Sequence, residues 1–123
     1  AAPRPQPESS SARIYIKNAV KFIQCNYSNN IDVSDIADHV GLSRSHLYRI
    51  FVQHLALSPN EYLTQYRINQ ACVLLRSSPL SIGEIAGSVG FEDQLYFSRV
   101  FKKIKGVPPS HYVRKIAENT PVE

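Results

Sequence analysis

Arg49 and Arg99 stand at the same place in two copies of one pattern. A guanidinium is a flat, permanently charged fork of N–H donors, suited to carboxylates, phosphates and the edges of bases. Around these arginines, Ile36-Ala37-Asp38-His39-Val40-Gly41 returns as Ile85-Ala86-Gly87-Ser88-Val89-Gly90, and Arg49-Ile50-Phe51 returns as Arg99-Val100-Phe101. Ser58-Pro59-Asn60-Glu61-Tyr62 returns as Pro108-Pro109-Ser110-His111-Tyr112. The offset is 49 residues up to the glycine and 50 after it, so the second copy carries one extra residue just past its turn. Chance does not keep register through three separate blocks. Each copy reads as a short helix, a glycine turn, a second helix and then a proline-started helix. Two such units in a basic chain suggest two DNA-reading helices.

The charge distribution fits that reading. From Arg44 to Lys115 there are ten Lys/Arg against four Asp/Glu, whereas the remaining residues hold four basic and six acidic groups. Positive charge therefore gathers where the repeats lie, as on a phosphate-facing surface, although a merely solvated basic face has the same composition. Other chemistry is poorly supplied. Cys25 and Cys72 belong to no CxxC pair and are too few for a disulfide scaffold or a thiolate zinc site, which suits reduced core or boundary thiols. Asp35 and His39 share a helical face but lack a third metal ligand, and His46 and His54 have no catalytic partner. No serine–histidine–acid set, glycine-rich phosphate loop or paired-carboxylate cleft stands out. The expectation is a protein that is not an enzyme and needs no cofactor and no metal. No apolar run approaches the roughly 18 residues of a membrane span, and no signal peptide is visible. A cytoplasmic location and no membrane partner are expected.

The elements that must position these side chains are all helical, because apolar residues recur at 3.6-residue spacing and no strand-like alternation appears. A first helix is expected from about Ala12 to Tyr27, with Ile16, Ala19, Val20 and Ile23 as its buried stripe. Asp32 or Ser34 caps a second, which Gly41 ends in a sharp turn. Ser43 caps a third, running to about Leu55 with Leu47, Ile50 and Phe51 inward. A fourth starts at Pro59 and reaches Arg76, a rod of about 27 Å. Ser81 and Glu84 form a capping box for a fifth, which Gly90 turns into a sixth over about Asp93 to Ile104. A seventh starts at Pro108-Pro109 and fades after Lys115. The organisation expected is a flexible linker or tail over 1–11, a first helix-turn-helix subdomain with its connecting helix over 12–76, a second over 77–117, and a tail over 118–123. The proline-rich start suggests that another segment precedes it in a longer protein.

Within each copy, Ala37-x3-Gly41 and Ala86-x3-Gly90 meet the steric demands of a helix-turn-helix: a small residue lets two helices approach, and a glycine makes the turn. The second copy also carries Gly90-Phe91, Tyr96-Phe97-Ser98-Arg99-Val100-Phe101-Lys102-Lys103 and Gly106-Val107-Pro108-Pro109-Ser110-His111-Tyr112. These blocks resemble the signature of the AraC/XylS family of bacterial transcription regulators, and the resemblance spans about Ile14 to Lys115. It implies a seven-helix DNA-binding unit, two helix-turn-helix subdomains joined by a long central helix, with the recognition helices in successive major grooves. It further implies double-stranded DNA as the partner, a sensor or dimerisation domain on the amino-terminal side, and RNA polymerase as a candidate second partner.

Carried over by position, the base-reading places of that family fall on Arg44, Ser45, Tyr48 and Arg49 in the first copy. In the second they fall on Gln94, Leu95, Tyr96 and Arg99, with Asp93 at the helix start. Arg49 and Arg99 suit bidentate contacts to guanine, Gln94 suits adenine, and Tyr48 suits a thymine methyl or a phosphate. Ser43, Lys102, Lys103 and Lys105 are assigned to phosphates, which position a protein without reading sequence. For each arginine the competing role is a salt bridge to a neighbouring acid, and for Tyr96 it is burial against Phe97. The first copy departs from the pattern, with Val52-Gln53-His54 where the second has Lys102-Lys103-Ile104, and Ala56 in place of Gly106. A weaker phosphate grip there keeps a second reading open: a helix-turn-helix-fold protein-interaction module that does not read DNA. A DNA-alkylation repair enzyme would need a cluster of methyl-accepting cysteines that the chain lacks.

Overall fold

The computed structural model describes the backbone of residues 7–113 and the side chains of residues 11–113, and its helices there are α1 (Pro7–Asn26), α2 (Val33–Val40), α3 (Arg44–Leu55), α4 (Pro59–Ser77), α5 (Ile82–Ser88) and α6 (Gln94–Lys105). A seventh, α7, opens at Pro109 and is helical to residue 113. The fold is all-α, with no strand among the described residues. α1 is already helical at Pro7, the first described residue, rather than from near Ala12, so residues 7–11 are helical backbone rather than linker. The tail expected over 118–123, and the last residues expected in the seventh helix (Arg114, Lys115, Ile116), lie outside the described residues.

The caps follow from local chemistry. Asp32, not Ser34, caps α2: its side chain accepts from the Asp35 N–H at 3.0 Å, and Asp35 Oδ2 accepts from the Asp32 N–H at 2.8 Å. Gly41, at φ 80°, lets its own N–H and that of Leu42 reach back to the Ala37 carbonyl at 2.9 and 3.0 Å. Ser58 and Glu61 form the same reciprocal pair at the start of α4, both bonds 3.1 Å. So do Ser81 and Glu84 on α5, again at 3.1 Å each. The Ser81 N–H holds the Glu84 carboxyl below its usual range, because the bond favours the charged form.

The chain forms two compact units that divide between Leu63 and Thr64, inside α4. In the first, α1, α2 and α3 pack on one another around Ala19, Ile23, Ile36, Ala37, Leu47 and Phe51, with Leu63 from α4. Large apolar side chains buried this fully stabilise a fold by about 1.5–3 kcal/mol each. The second unit is built on Ile68, Ala71, Cys72 and Leu75, one helical stripe of α4, with Ile85, Ala86, Val89, Phe91, Phe97 and Phe101. Its aromatics touch in series: Phe91–Phe97 at 5.2 Å, Phe97–Phe101 at 5.8 Å and Phe101–Tyr112 edge-on at 5.4 Å. The edge-on pair has its counterpart in the first unit, Phe51–Tyr62 at 6.0 Å. Both tyrosines are half-buried. Arg76 donates to the Tyr112 hydroxyl at 3.2 Å. Burial, then the hydrogen bond and charge of Cys72, push the Tyr112 phenol up, against the pull of Arg76. Cys72 is a buried thiol and Cys25 an exposed one.

Candidate nucleic-acid interface

The two second helices of the repeat, α3 and α6, each bury one face and present another. In α3, Leu47, Ile50 and Phe51 are buried; in α6, Phe97 and Phe101 are. With these faces committed to the core, helical geometry turns the intervening side chains outward. Arg44, Ser45, Tyr48 and Arg49 are all exposed on α3, as are Gln94, Leu95, Tyr96 and Arg99 on α6. Each copy therefore brings its expected base-reading residues onto one outward helix surface. Leu95 and Tyr96 are 72% and 57% exposed. Tyr48 is similar at 56%. The burial that competed for Tyr96 does not occur. Nor do the salt bridges that competed for Arg49 and Arg99: among the described residues neither is in an ion pair.

The helix starts are set by their caps. Ser43 Oγ accepts from the His46 N–H at 3.1 Å, which leaves its hydroxyl proton free to donate outward. Asp93 caps α6 by accepting from the Leu95 N–H at 2.9 Å. Between the turn glycine and the cap lies one residue in the first copy, Leu42, and two in the second, Phe91 and Glu92, which is where the repeat's extra residue is spent. Gly90, at φ 100°, makes the second turn as Gly41 makes the first. Ala37 and Ala86, each 1% exposed, provide the close approach inside each pair.

Lys102 and Lys103 project from the last turn of α6 into solvent. Lys105 is different: its Nζ donates to Asn69 Oδ1 on α4 at 2.9 Å. The exposed counterparts of Lys102 and Lys103 in α3 are the uncharged Val52 and Gln53. In the first unit a groove of about 510 Å³ runs beside the recognition helix, lined by Val33, Arg44, Ser45, Tyr48, Ser58, Pro59 and Asn60. These residues begin α2, α3 and α4, so three helix starts edge the groove. Sequence reasoning did not place Val33, Ser58 or Asn60 there, although the Ser58–Glu61 capping box was a readable signal.

Residues 36–115 match the family model described as a helix-turn-helix domain. The C-terminal domain of AraT, a response regulator from Geobacillus stearothermophilus, is 34% identical and superposes with a TM-score of 0.80 over 98% of this chain and 97% of that one. The chain belongs to the AraC/XylS family. Among AraC/XylS relatives, the Msm operon regulatory protein of Streptococcus mutans is 40% identical over 114 residues, 93% of this chain. The chain spans 41% of the length of that regulator. The DNA-binding domain of AdpA, a global transcriptional factor solved in complex with a target DNA, is 26% identical with a TM-score of 0.79 over 85% of this chain and 95% of that domain. The architecture described above, helix-turn-helix pairs with a proline-started helix after each, is thus the AraC/XylS DNA-binding architecture.

Proposed function

We propose that this chain is the sequence-specific double-stranded DNA-binding part of a bacterial transcription regulator, acting by placement and without catalysis. The observation that carries the reading is the matched pair of exposed faces on α3 and α6, each with an arginine at the repeated position. Arg49 and Arg99 contact guanine edges. Gln94 contacts adenine, while Arg44, Ser45, Tyr48, Leu95 and Tyr96 complete the readout with hydrogen bonds and thymine-methyl contacts. Asp93 holds the start of α6. Ser43, Lys102 and Lys103 bind phosphates, and Lys105 joins them where it can leave Asn69.

The two recognition helices occupy successive major grooves, so the site covers about 15–20 base pairs. In the full-length regulator a sensor or dimerisation domain governs this module, which works in the cytoplasm and meets RNA polymerase at the promoter. Selection of bound sequences from a random duplex pool tests the proposal. Two short preferred blocks about one helical turn apart are expected. One block means that one copy alone reads bases, and no enrichment refutes DNA reading and favours a protein-binding role.

A further inference from the structure

Gly83 lies in the first turn of α5, two residues after the Ser81 cap. Glycine weakens a helix relative to alanine, and α5 has only seven residues. Gly87, in the same helix, has open space where a β-carbon would stand, so nothing packs against its bare face. Gly83 is different. A β-carbon there would lie 2.7 Å from Oε1 and 3.6 Å from Cδ of Gln94. The first of these is well inside the distance at which carbon and oxygen normally touch, about 3.3–3.6 Å. The amide end of Gln94 therefore rests in the space that the missing side chain leaves.

Gln94 is the first residue of α6, and the Asp93 cap fixes its backbone. The residue is exposed overall, so its tip lies beside Gly83 without being buried. We propose that Gly83 is a positioning residue for Gln94: the absent β-carbon makes a seat that holds the amide in a narrow range of orientations before DNA arrives. The proposal rests on the reading of Gln94 as a base contact. An amide distinguishes bases by which end faces which edge, so its orientation decides what it reads. A glutamine that waggles freely must have its torsions frozen on docking, whereas a seated one has less freedom to lose. Alanine at 83 would displace the tip of a flexible side chain rather than backbone, so α5 keeps its place.

The experiment compares affinities for duplexes that differ only at the base pair whose preference Gln94→Ala removes. Wild type, Gly83→Ala, Gly87→Ala, Gln94→Ala and the Gly83→Ala/Gln94→Ala double variant are measured in parallel. Gly83→Ala should reduce the preference at that pair by about 2- to 13-fold, the cost of freezing one long side chain. Gly87→Ala should leave it unchanged, and in the Gln94→Ala background, where no preference is left to lose, Gly83→Ala should leave the affinity for both duplexes unchanged. A loss of affinity from Gly83→Ala that is the same on both duplexes, with or without Gln94, would show that the glycine acts on the fold. An undiminished preference in Gly83→Ala, where Gln94→Ala abolishes it, would show that Gln94 reads without a seat. If Gln94→Ala changes no preference at any pair, the base contact itself is wrong and the seat falls with it. In the unmutated chain, NMR should show cross-relaxation between the Gly83 α-protons and the Gln94 side chain. Its absence would overturn the seat whatever the variants do.

Discussion

Arg49 and Arg99 on the one hand, and Lys102 and Lys103 on the other, should fail differently when removed. A guanidinium paired with a guanine edge discriminates by about 1–3 kcal/mol, a factor of about 5–150. Arg49→Ala and Arg99→Ala should each lower affinity for the selected sequence by that factor and bring it closer to the affinity for unrelated DNA. The two losses should fall on different base pairs, because the arginines belong to different helices. Fluorescence anisotropy with specific and scrambled duplexes separates these effects; equal weakening on both duplexes would assign the arginines to phosphates. The exposure of both side chains means that neither substitution should disturb folding beyond about 0.5 kcal/mol.

At the scale of the element, α5 and the end of α3 are where sequence and preferred conformation disagree. Ala56 sits at φ 58°, a left-handed conformation that costs a non-glycine residue about 1–2 kcal/mol. Gly106 takes the equivalent position at φ 84° without that cost. Ala56→Gly should therefore stabilise the first unit by about 1 kcal/mol, read as a higher denaturation midpoint, since the strain relieved exceeds the extra entropy glycine loses on folding. Gly87→Ala should add about 1 kcal/mol to α5, whose vacant side-chain position accepts a methyl. With two glycines in seven residues, α5 should exchange its amide hydrogens faster than α4 in the free protein and slow down on DNA. Its cap also titrates. The Glu84 carboxyl is held below its ordinary value of 4.5, so the stability it contributes is present above that pH and drains away as pH falls through the lowered value. Acidification should lower the protection factors of the α5 amides, exchange rates corrected for their intrinsic pH dependence, in the wild type and leave those of Glu84→Gln, whose amide keeps an acceptor without titrating, unchanged. The helices, caps and glycine turns were legible in the sequence because each is decided within four residues: Ser43 bonds the His46 N–H, and Ser81 pairs with Glu84. Asn69 beneath Lys105, 36 residues away, was not, and neither was the seat at Gly83, because side chains meet there only after the chain has folded. The helical backbone of residues 7–11 was hidden by a proline-rich composition that looks like linker.

For the whole molecule, the net charge of +4 conceals an imbalance between its copies. The exposed end of α6 carries Lys102 and Lys103, whereas the matching positions of α3 carry Val52 and Gln53. Every phosphate neutralised by a lysine releases condensed counterions, so it adds about 0.9 to the slope of log affinity against log salt on B-form DNA. Lys102→Ala and Lys103→Ala should each flatten that slope by roughly this amount and weaken all sequences alike, because a phosphate contact carries no base information. The converse is the stronger test of the duplicated design. If α3 lies along its groove as α6 does, Gln53→Lys should steepen the slope by about 0.9 and tighten binding to specific and scrambled duplexes by the same factor. Anisotropy titrations from low to physiological salt measure both quantities on the same samples. An unchanged slope in Gln53→Lys, beside a flattened one in Lys103→Ala, would mean that the first copy meets DNA differently from the second, and that the repeat in the sequence is not a repeat in the contact.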